Sequence, residues 1–167
     1  MPHEATRQLL WRALSQEFAA FQDVAQTCSP AAFHRQPDQG HSIAWHVLHI
    51  VDWSRCVVQP GLNGVNPALR YAYLGFEDAE FTKSVFGPSV ACITDPQDVI
   101  VNALNTVSTD TLRFIEEAPA ERFSPHATWP TLTRPRAVID GLLYHVRHTA
   151  YHRGQMQFAL KHSGSLL

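Results

Sequence analysis

Apolar residues recur at intervals of three and four along four stretches of this chain, the spacing of an amphipathic helix with one buried face. The first stretch covers residues 4–26, and the second follows Ser42, a good N-cap residue, and ends by Pro60. The third covers about 95–117 and the last about 135–161. The pattern predicts an all-α protein with four long helices, and the alternating spacing of the last helix is typical of a bundle.

The connections on either side of the third predicted helix are too long for plain loops between bundle helices. Residues 60–94 carry five aromatic residues, Tyr71, Tyr73, Phe76, Phe81 and Phe86. Residues 118–134 carry Phe123 and Trp129. Two interpretations are open: these aromatic side chains shape a pocket at one end of the bundle, or they form a satellite core.

Size and composition favour one globular domain over residues 1–167, since 45% of the residues are hydrophobic and 17% are charged. A net charge of −2 provides no basic surface, so we do not expect nucleic acid as a partner. No apolar run approaches the roughly 18 residues of a membrane helix, and the N-terminus lacks a signal-peptide pattern, so we expect no membrane association and a cytoplasmic location. Three cysteines without a Cys-x-x-Cys pair favour reduced thiols over disulfides.

The histidines carry the most specific chemical information. His148 and His152 are four residues apart, so on a helix their imidazoles lie on one face, at the spacing that one metal ion needs from two ligands; His145 lies on the same face one turn earlier. With 10 histidines in 167 residues, one such pair is near random expectation. His46 and His49 lie upstream in an otherwise apolar helical run. One histidine from that run and two from the last helix would make a three-histidine site.

Three short motifs make the chain similar to a known family. Residues 45–50 (WHVLHI), the Trp-Pro pair at 129–130 and residues 148–155 (HTAYHRGQ) resemble the DinB-like (YfiT-like) family of metal-dependent proteins. The resemblance covers the length and order of the whole chain, and the His-Arg-Gly-Gln ending is its more specific part. It implies that the four predicted helices form a four-helix bundle.

The resemblance also implies a metal site and a chemistry. In that family one histidine of the second helix and two of the last hold the metal, and the matching positions here are His49, His148 and His152. The better-understood members are S-transferases or isomerases that use low-molecular-weight thiols. Imidazole suits Zn, Ni or Fe, and three histidines with an open position are typical of a catalytic site, where the metal lowers the pKa of bound water or of a bound thiol.

Neighbouring residues have several open roles. His46 and His145 each lie one turn from an implied ligand, so they are catalytic acid/base groups, hydrogen-bond partners of the ligands, alternative ligands or plain packing residues. Asp52 orients a ligand, pairs with Arg153 or is a surface charge. Cys56 is a ligand or nucleophile of the site, or a small buried hydrophobe.

Two predictions concern packing. Gly154 lowers the stability of the last helix by about 1 kcal/mol relative to Ala, so we expect a packing reason for it, such as a close approach of the neighbouring helix. The first helix carries the large apolar residues Trp11, Phe18 and Phe21, which exceed what one bundle is expected to bury. Because family members are often dimers, we expect a homodimer.

The leading hypothesis for function is a metal-dependent enzyme with a divalent metal cofactor and a small-molecule substrate. By resemblance it is a thiol-dependent S-transferase, or it performs a related small-molecule transformation with a low-molecular-weight thiol. One alternative is a non-catalytic, stress-related protein that binds a small molecule or a metal. Another is a dimeric helical protein without metal. The Glu-x-x-His of ferritin-like di-iron bundles and the His-Glu-x-x-His of zincin proteases are absent from the sequence.

Overall fold

Helices make up most of the described chain. The fold comes from a computed structural model that describes residues 2–63, 90–129 and 136–163. In chain order the elements are α1 (Pro2–Thr27), α2 (Pro30–His34), α3 (Ile43–Trp53), a π-helical segment (Ser54–Val58), α4 (Gln59–Leu62), α5 (Gln97–Glu117), a 3₁₀ turn (Ala120–Phe123), the strands β1 (Thr128–Trp129) and β2 (Arg136–Ala137), and α6 (Val138–Ser163).

The long helices pack side by side. α1 packs against both α5 and α6, and α3 packs against the same two helices, so α1 and α3 lie diagonally across the bundle. This arrangement confirms the predicted all-α four-helix bundle. It also places α3 beside α6, and these are the two helices whose sequences carry the clustered histidines. Among the described residues, no helix combines the length and the apolar character needed to cross a membrane.

The helix starts follow the capping residues of the sequence with small shifts. The Ser42 side chain caps α3, because its Oγ accepts a hydrogen bond from the Trp45 backbone N–H at 3.2 Å. α5 begins one residue later than predicted from Asp95 as N-cap and Pro96 as first helical residue, because Pro96 is still extended, with φ −54° and ψ 152°. α6 begins at Val138 rather than near 135, because β2 pairs with β1 in a short antiparallel ladder just before it.

Apolar side chains from all four bundle helices form a core cluster in the described part of the chain. Phe18 and Phe21 are 2% and 0% exposed, and Trp11 packs partly buried against the cluster. A single copy of the chain therefore covers both phenylalanines, and they give no reason for a second copy. The homodimer itself stays a prediction.

The second predicted long connection contributes to the core. Phe123 and Trp129 are 1% and 3% exposed and belong to the core cluster, so for these two residues the core interpretation is right and the pocket interpretation is wrong. The aromatic residues expected in the first connection lie outside the described residues, which end at Asn63 and resume at Val90.

Trp129 is held between two glycines. Its indole ring lies where a Cβ would lie on Gly61, at the end of α4, and on Gly141, in the first turn of α6. Any larger residue at either position would collide with the ring, so the absence of a side chain lets the indole fill the space between the two helices. Gly154 is different: it is exposed, and no heavy atom lies within 4 Å of the position that a Cβ would take there. The predicted close approach of a neighbouring helix to Gly154 is therefore wrong.

These two glycines of α6 make a matched pair for a stability test. Gly141→Ala should lower the free energy of unfolding by about 1–3 kcal/mol, because the methyl group displaces Trp129 from a packed core. Gly154→Ala should raise it by about 0.5–1 kcal/mol, because Ala favours the helix and meets open space. Urea denaturation followed by circular dichroism measures both changes. Equal stability of the two variants would contradict the proposed packing of Trp129.

Candidate metal centre

Three histidines meet where α3 packs against α6. His49 comes from α3, and His148 and His152 come from successive turns of α6. The Nε2 atom of His148 lies 3.2 Å from Nε2 of His49 and 3.0 Å from Nε2 of His152. One ligand nitrogen from each residue lies within 4.8 Å of the others, and the group can hold a metal ion. These are the three positions that the family resemblance implies.

The spacing of the nitrogens fits a cation. A tetrahedral ion with metal–nitrogen distances of about 2.0–2.1 Å separates its ligand nitrogens by roughly 3.3–3.4 Å. The two separations of 3.2 and 3.0 Å are close to that value. Hydrogen bonds between the rings explain these separations less well. An imidazole nitrogen carries either one proton or one lone pair, so Nε2 of His148 cannot form hydrogen bonds to both facing nitrogens at once.

His46 supports His152 from the side away from this group. The Nδ1 atoms of the two rings are 2.8 Å apart, and His46 is 5% exposed. When Nε2 of His152 presents its lone pair to a metal, its proton is on Nδ1, which then donates to Nδ1 of His46. Such a hydrogen bond fixes both the tautomer and the ring orientation of a ligating histidine.

His145 lies in the core and not beside the cavity. It is 0% exposed, and its ring meets the Phe18 ring edge-on at a centroid distance of 5.7 Å. Its Nε2 is 3.0 Å from the Ser54 hydroxyl, which donates its own proton to the Ile50 carbonyl oxygen at 2.8 Å. The hydroxyl therefore accepts from Nε2–H of His145. This bond ties α6 to the π-helical segment, and an acid/base role for His145 stays a prediction.

Burial keeps the clustered imidazoles neutral. Desolvation, with a smaller contribution from neighbouring histidines, lowers the pKa of His46 to about 4, of His145 and His148 to about 3, and of His152 to about 2. At neutral pH these rings are unprotonated, so the lone pairs that metal binding requires are available.

An open cavity of about 510 Å³ lies against the three histidines. The Trp45 ring stacks on His49 at a centroid distance of 4.8 Å, and the Tyr144 ring stacks on His148 at 5.5 Å. Trp53 meets the His148 ring edge-on at 4.8 Å. The lining side chains in the described part of the chain are Trp45, His49, Trp53, Tyr144, Arg147, His148, Tyr151 and His152. A metal held here would face this cavity with a free coordination position among the described residues.

The remaining candidates lie apart from this chemistry. Arg153 donates two hydrogen bonds to the Glu17 carboxylate, at 2.6 and 3.3 Å, so it does not pair with Asp52. Asp52 is 5% exposed rather than a surface charge, and its burial raises its pKa to about 6. Burial, followed by the Asp52 charge, raises the pKa of Cys56 to about 12. The Cys56 thiol stays protonated and behaves as a small buried hydrophobe.

Sequence reasoning missed the cavity wall. Trp45 and Trp53 stand four residues before and after His49, and Tyr144 stands four residues before His148. On a helix such residues lie one turn from the ligand on the same face. Applying that spacing outward from each implied ligand would have found all three. Arg147 precedes His148 directly, and no spacing rule points to it.

Alanine substitutions separate ligands from supporting residues. His148→Ala should abolish retention of Zn²⁺, because it removes the nitrogen that faces both others, whereas His145→Ala should retain it. His46→Ala should retain the ion with affinity weakened by about 10–100-fold, because only the support of His152 is lost. Elemental analysis after dialysis and zinc titration measure these effects, with circular dichroism as the control for folding. Full zinc retention by His148→Ala would contradict the ligand set.

Comparison with known proteins supports the same picture. A search of curated proteins gives no match. A family model described as the DinB superfamily matches residues 13–156, which span the helices that carry every histidine of the cluster. The match covers well over half of the chain, and the helical bundle agrees with it. The chain therefore belongs to the DinB superfamily.

Proposed function

We propose that this protein is a metal-dependent enzyme that uses a low-molecular-weight thiol in an S-transfer reaction, or in a related transformation of a small molecule. The observation that carries the proposal is the convergence of three imidazole nitrogens beside an open, aromatic-lined cavity. A site for structural metal is closed by four protein ligands, whereas this group has one open side among the described residues.

The donor set fits Zn, Ni or Fe, and a bound divalent ion would lower the pKa of a thiol or of water at the open position. The chain's own residues prepare that position. His46 orients the His152 ring, and the aromatic contacts of Trp53 and Tyr144 hold the His148 ring. His145, bonded to Ser54, fixes the helix that carries two of the ligands.

The thiol has to come from outside the chain. Cys56 is buried with a strongly raised pKa, and burial also raises the pKa of the half-buried Cys28, whose thiol donates to the Ala25 carbonyl oxygen. Cys92 lies in the segment before α5 and is not among the side chains that line the cavity. The cysteines of the chain therefore provide no nucleophile at the histidine group, which favours a thiol cosubstrate over a covalent cysteine mechanism.

The transfer proposal can be tested with a simple pair of reactants. Zinc-loaded protein is mixed with glutathione or N-acetylcysteine and chlorodinitrobenzene; the thiolate sulfur forms a bond to the ring carbon, and chloride leaves. The rate above background should follow metal content, fall on chelation and return when Zn²⁺ or Ni²⁺ is restored, because the metal stabilises the thiolate. Absorbance of the thioether product measures it.

The matched control for this assay is His148→Ala, which should show only the background rate. Turnover that survives complete removal of metal would contradict the mechanism. Metal retention without turnover of any thiol and electrophile would favour a non-catalytic metal-binding or small-molecule-binding protein. Purified protein that takes up no metal would favour a helical protein without a metal function.

A homodimer and a cytoplasmic location also belong to the proposal. Support for a second copy comes from large apolar side chains that are exposed in the single chain: Leu9, Val90, Ile93, Val99, Leu143, Tyr151 and Phe158. Two of them, Tyr151 and Phe158, lie seven residues apart on α6 and are 62% and 58% exposed. Light scattering at micromolar concentration should give a mass near twice 18.7 kDa, and a species of 18.7 kDa alone would contradict the dimer.

A further inference from the structure

The cavity beside the histidine group has an uncompensated positive rim. Arg147 is the cationic side chain among the described lining residues, and no carboxylate lies among them. Within the described chain, Arg147 forms no ion pair and no hydrogen bond, whereas Arg7, Arg113 and Arg153 each pair with a carboxylate. An exposed arginine without a protein partner beside a cavity has its donors available for a ligand.

The adjoining surface increases this positive charge. Arg147 and Tyr144 also line a neighbouring groove, together with Arg136 and Asp140. The Arg136 guanidinium lies over the Tyr144 ring at 5.6 Å, so a second cation stands behind the cavity wall. Asp140 offsets one of the two charges, and in the described part of the chain it makes no ion pair with either arginine.

The histidines offer no negative charge. The three residues of the metal-binding group are all histidines, and an imidazole carries no negative charge whether or not it is protonated. Three neutral imidazoles leave both charges of a divalent ion uncompensated, unlike a donor set that includes a carboxylate. The described lining of the cavity therefore carries a net positive charge at Arg147 even without an ion, which favours an anionic ligand.

The walls of the cavity are largely aromatic. Trp45, Trp53, Tyr144 and Tyr151 line the cavity. Trp45 already stacks on His41 and His49, and Tyr144 stacks on His148. Trp53 and Tyr151 are therefore the lining rings that offer a face to a planar apolar group. The volume of about 510 Å³ lies within the range of small-molecule sites. Arg147 is exposed, whereas His148 is half-buried and His152 is buried, so the arginine is the more solvent-accessible part of the lining.

We propose that this cavity binds a small ligand with a planar, apolar body and a carboxylate group, and that Arg147 binds the carboxylate. The inference rests on the proposed function in that it concerns the ligand of the same cavity. It specifies one property of that ligand, a negatively charged group that binds to Arg147. The aromatic walls hold the body, and the guanidinium selects the charged end.

The test compares para-toluate with para-toluamide, which have nearly the same shape and differ in charge. Binding is followed by the fluorescence of the tryptophans, two of which line the cavity, in full-length protein both zinc-loaded and after chelation. The wild type should bind toluate about tenfold more tightly than toluamide in both states. Arg147→Gln should reduce this ratio to about one, because it removes the charge. Arg147→Lys should keep part of the ratio, because the lysine ammonium keeps the charge but cannot donate two parallel hydrogen bonds to a carboxylate as a guanidinium does.

Arg113→Gln is the matched control, because Arg113 is an exposed arginine of α5 that pairs with Asp110 and does not line the cavity. It should leave the ratio unchanged. Three results would overturn the inference: no preference for toluate in the wild type, a preference that Arg147→Gln keeps, or no measurable binding of either probe. A preference that persists under Arg147→Gln only with zinc would assign the carboxylate to the ion instead.

The outcome is separate from that of the transfer assay. A toluate preference that depends on Arg147 in chelated protein supports the inference even when no metal-dependent transfer is found. Metal-dependent transfer without such a preference retains the proposed function and removes the inference.

Discussion

The packing of α3 against α6 is the contact on which the site depends. It brings His49 of one helix against His148 of the other, with their Nε2 atoms 3.2 Å apart. Burying imidazoles is costly unless their polar atoms are paired, and the site pairs Nδ1 of His46 with Nδ1 of His152 and Nε2 of His145 with Ser54. The Nδ1 atoms of His145 and His148 have no hydrogen-bond partner among the described residues. The same helix contact forms one wall of the cavity, so any change that separates α3 from α6 removes the ligands and the binding surface together.

Much of the fold follows from hydrophobic periodicity. Three- and four-residue spacing predicts four long helices, and Ser42 caps α3 as expected. The features of the fold that this periodicity does not predict depend on contacts between residues distant in sequence. The late start of α6 follows from the pairing of β2 with β1. The cost of a helical glycine predicts a packing role for Gly154, but that role belongs to Gly141 and Gly61, which accommodate Trp129. The sequence shows that a glycine lowers the stability of a helix, but it does not show which neighbouring residue needs the space that the glycine leaves.

The site could be predicted only in part for a similar reason. The four-residue spacing identifies His148 and His152 as a pair, but it cannot choose between His46 and His49, which lie three residues apart on nearly the same helix face. Family resemblance makes that choice. In the structure the two residues meet different nitrogens: His49 approaches Nε2 of His148, whereas His46 approaches Nδ1 of His152. Cys56 follows His49 by seven residues, a spacing that predicts one shared helix face, but Cys56 lies within the π-helical segment Ser54–Val58, which disrupts that register.

The side chains around the histidine group limit which reactive groups the chain itself can provide. Three histidine donors would leave a bound metal strongly Lewis acidic, because the group found among the described residues includes no carboxylate that would reduce its charge. The described cavity wall contains no cysteine, and burial lowers the pKa of His148 to about 3 and of His152 to about 2, so these two rings carry no extra proton at neutral pH. In the proposed function the nucleophile therefore arrives with a thiol cosubstrate. Such a site would position and polarise small molecules and would offer them the positive charge of Arg147. The groups that form bonds would come from the small molecules. That division favours a transferase with an external thiol over an enzyme that forms a covalent intermediate on its own side chain.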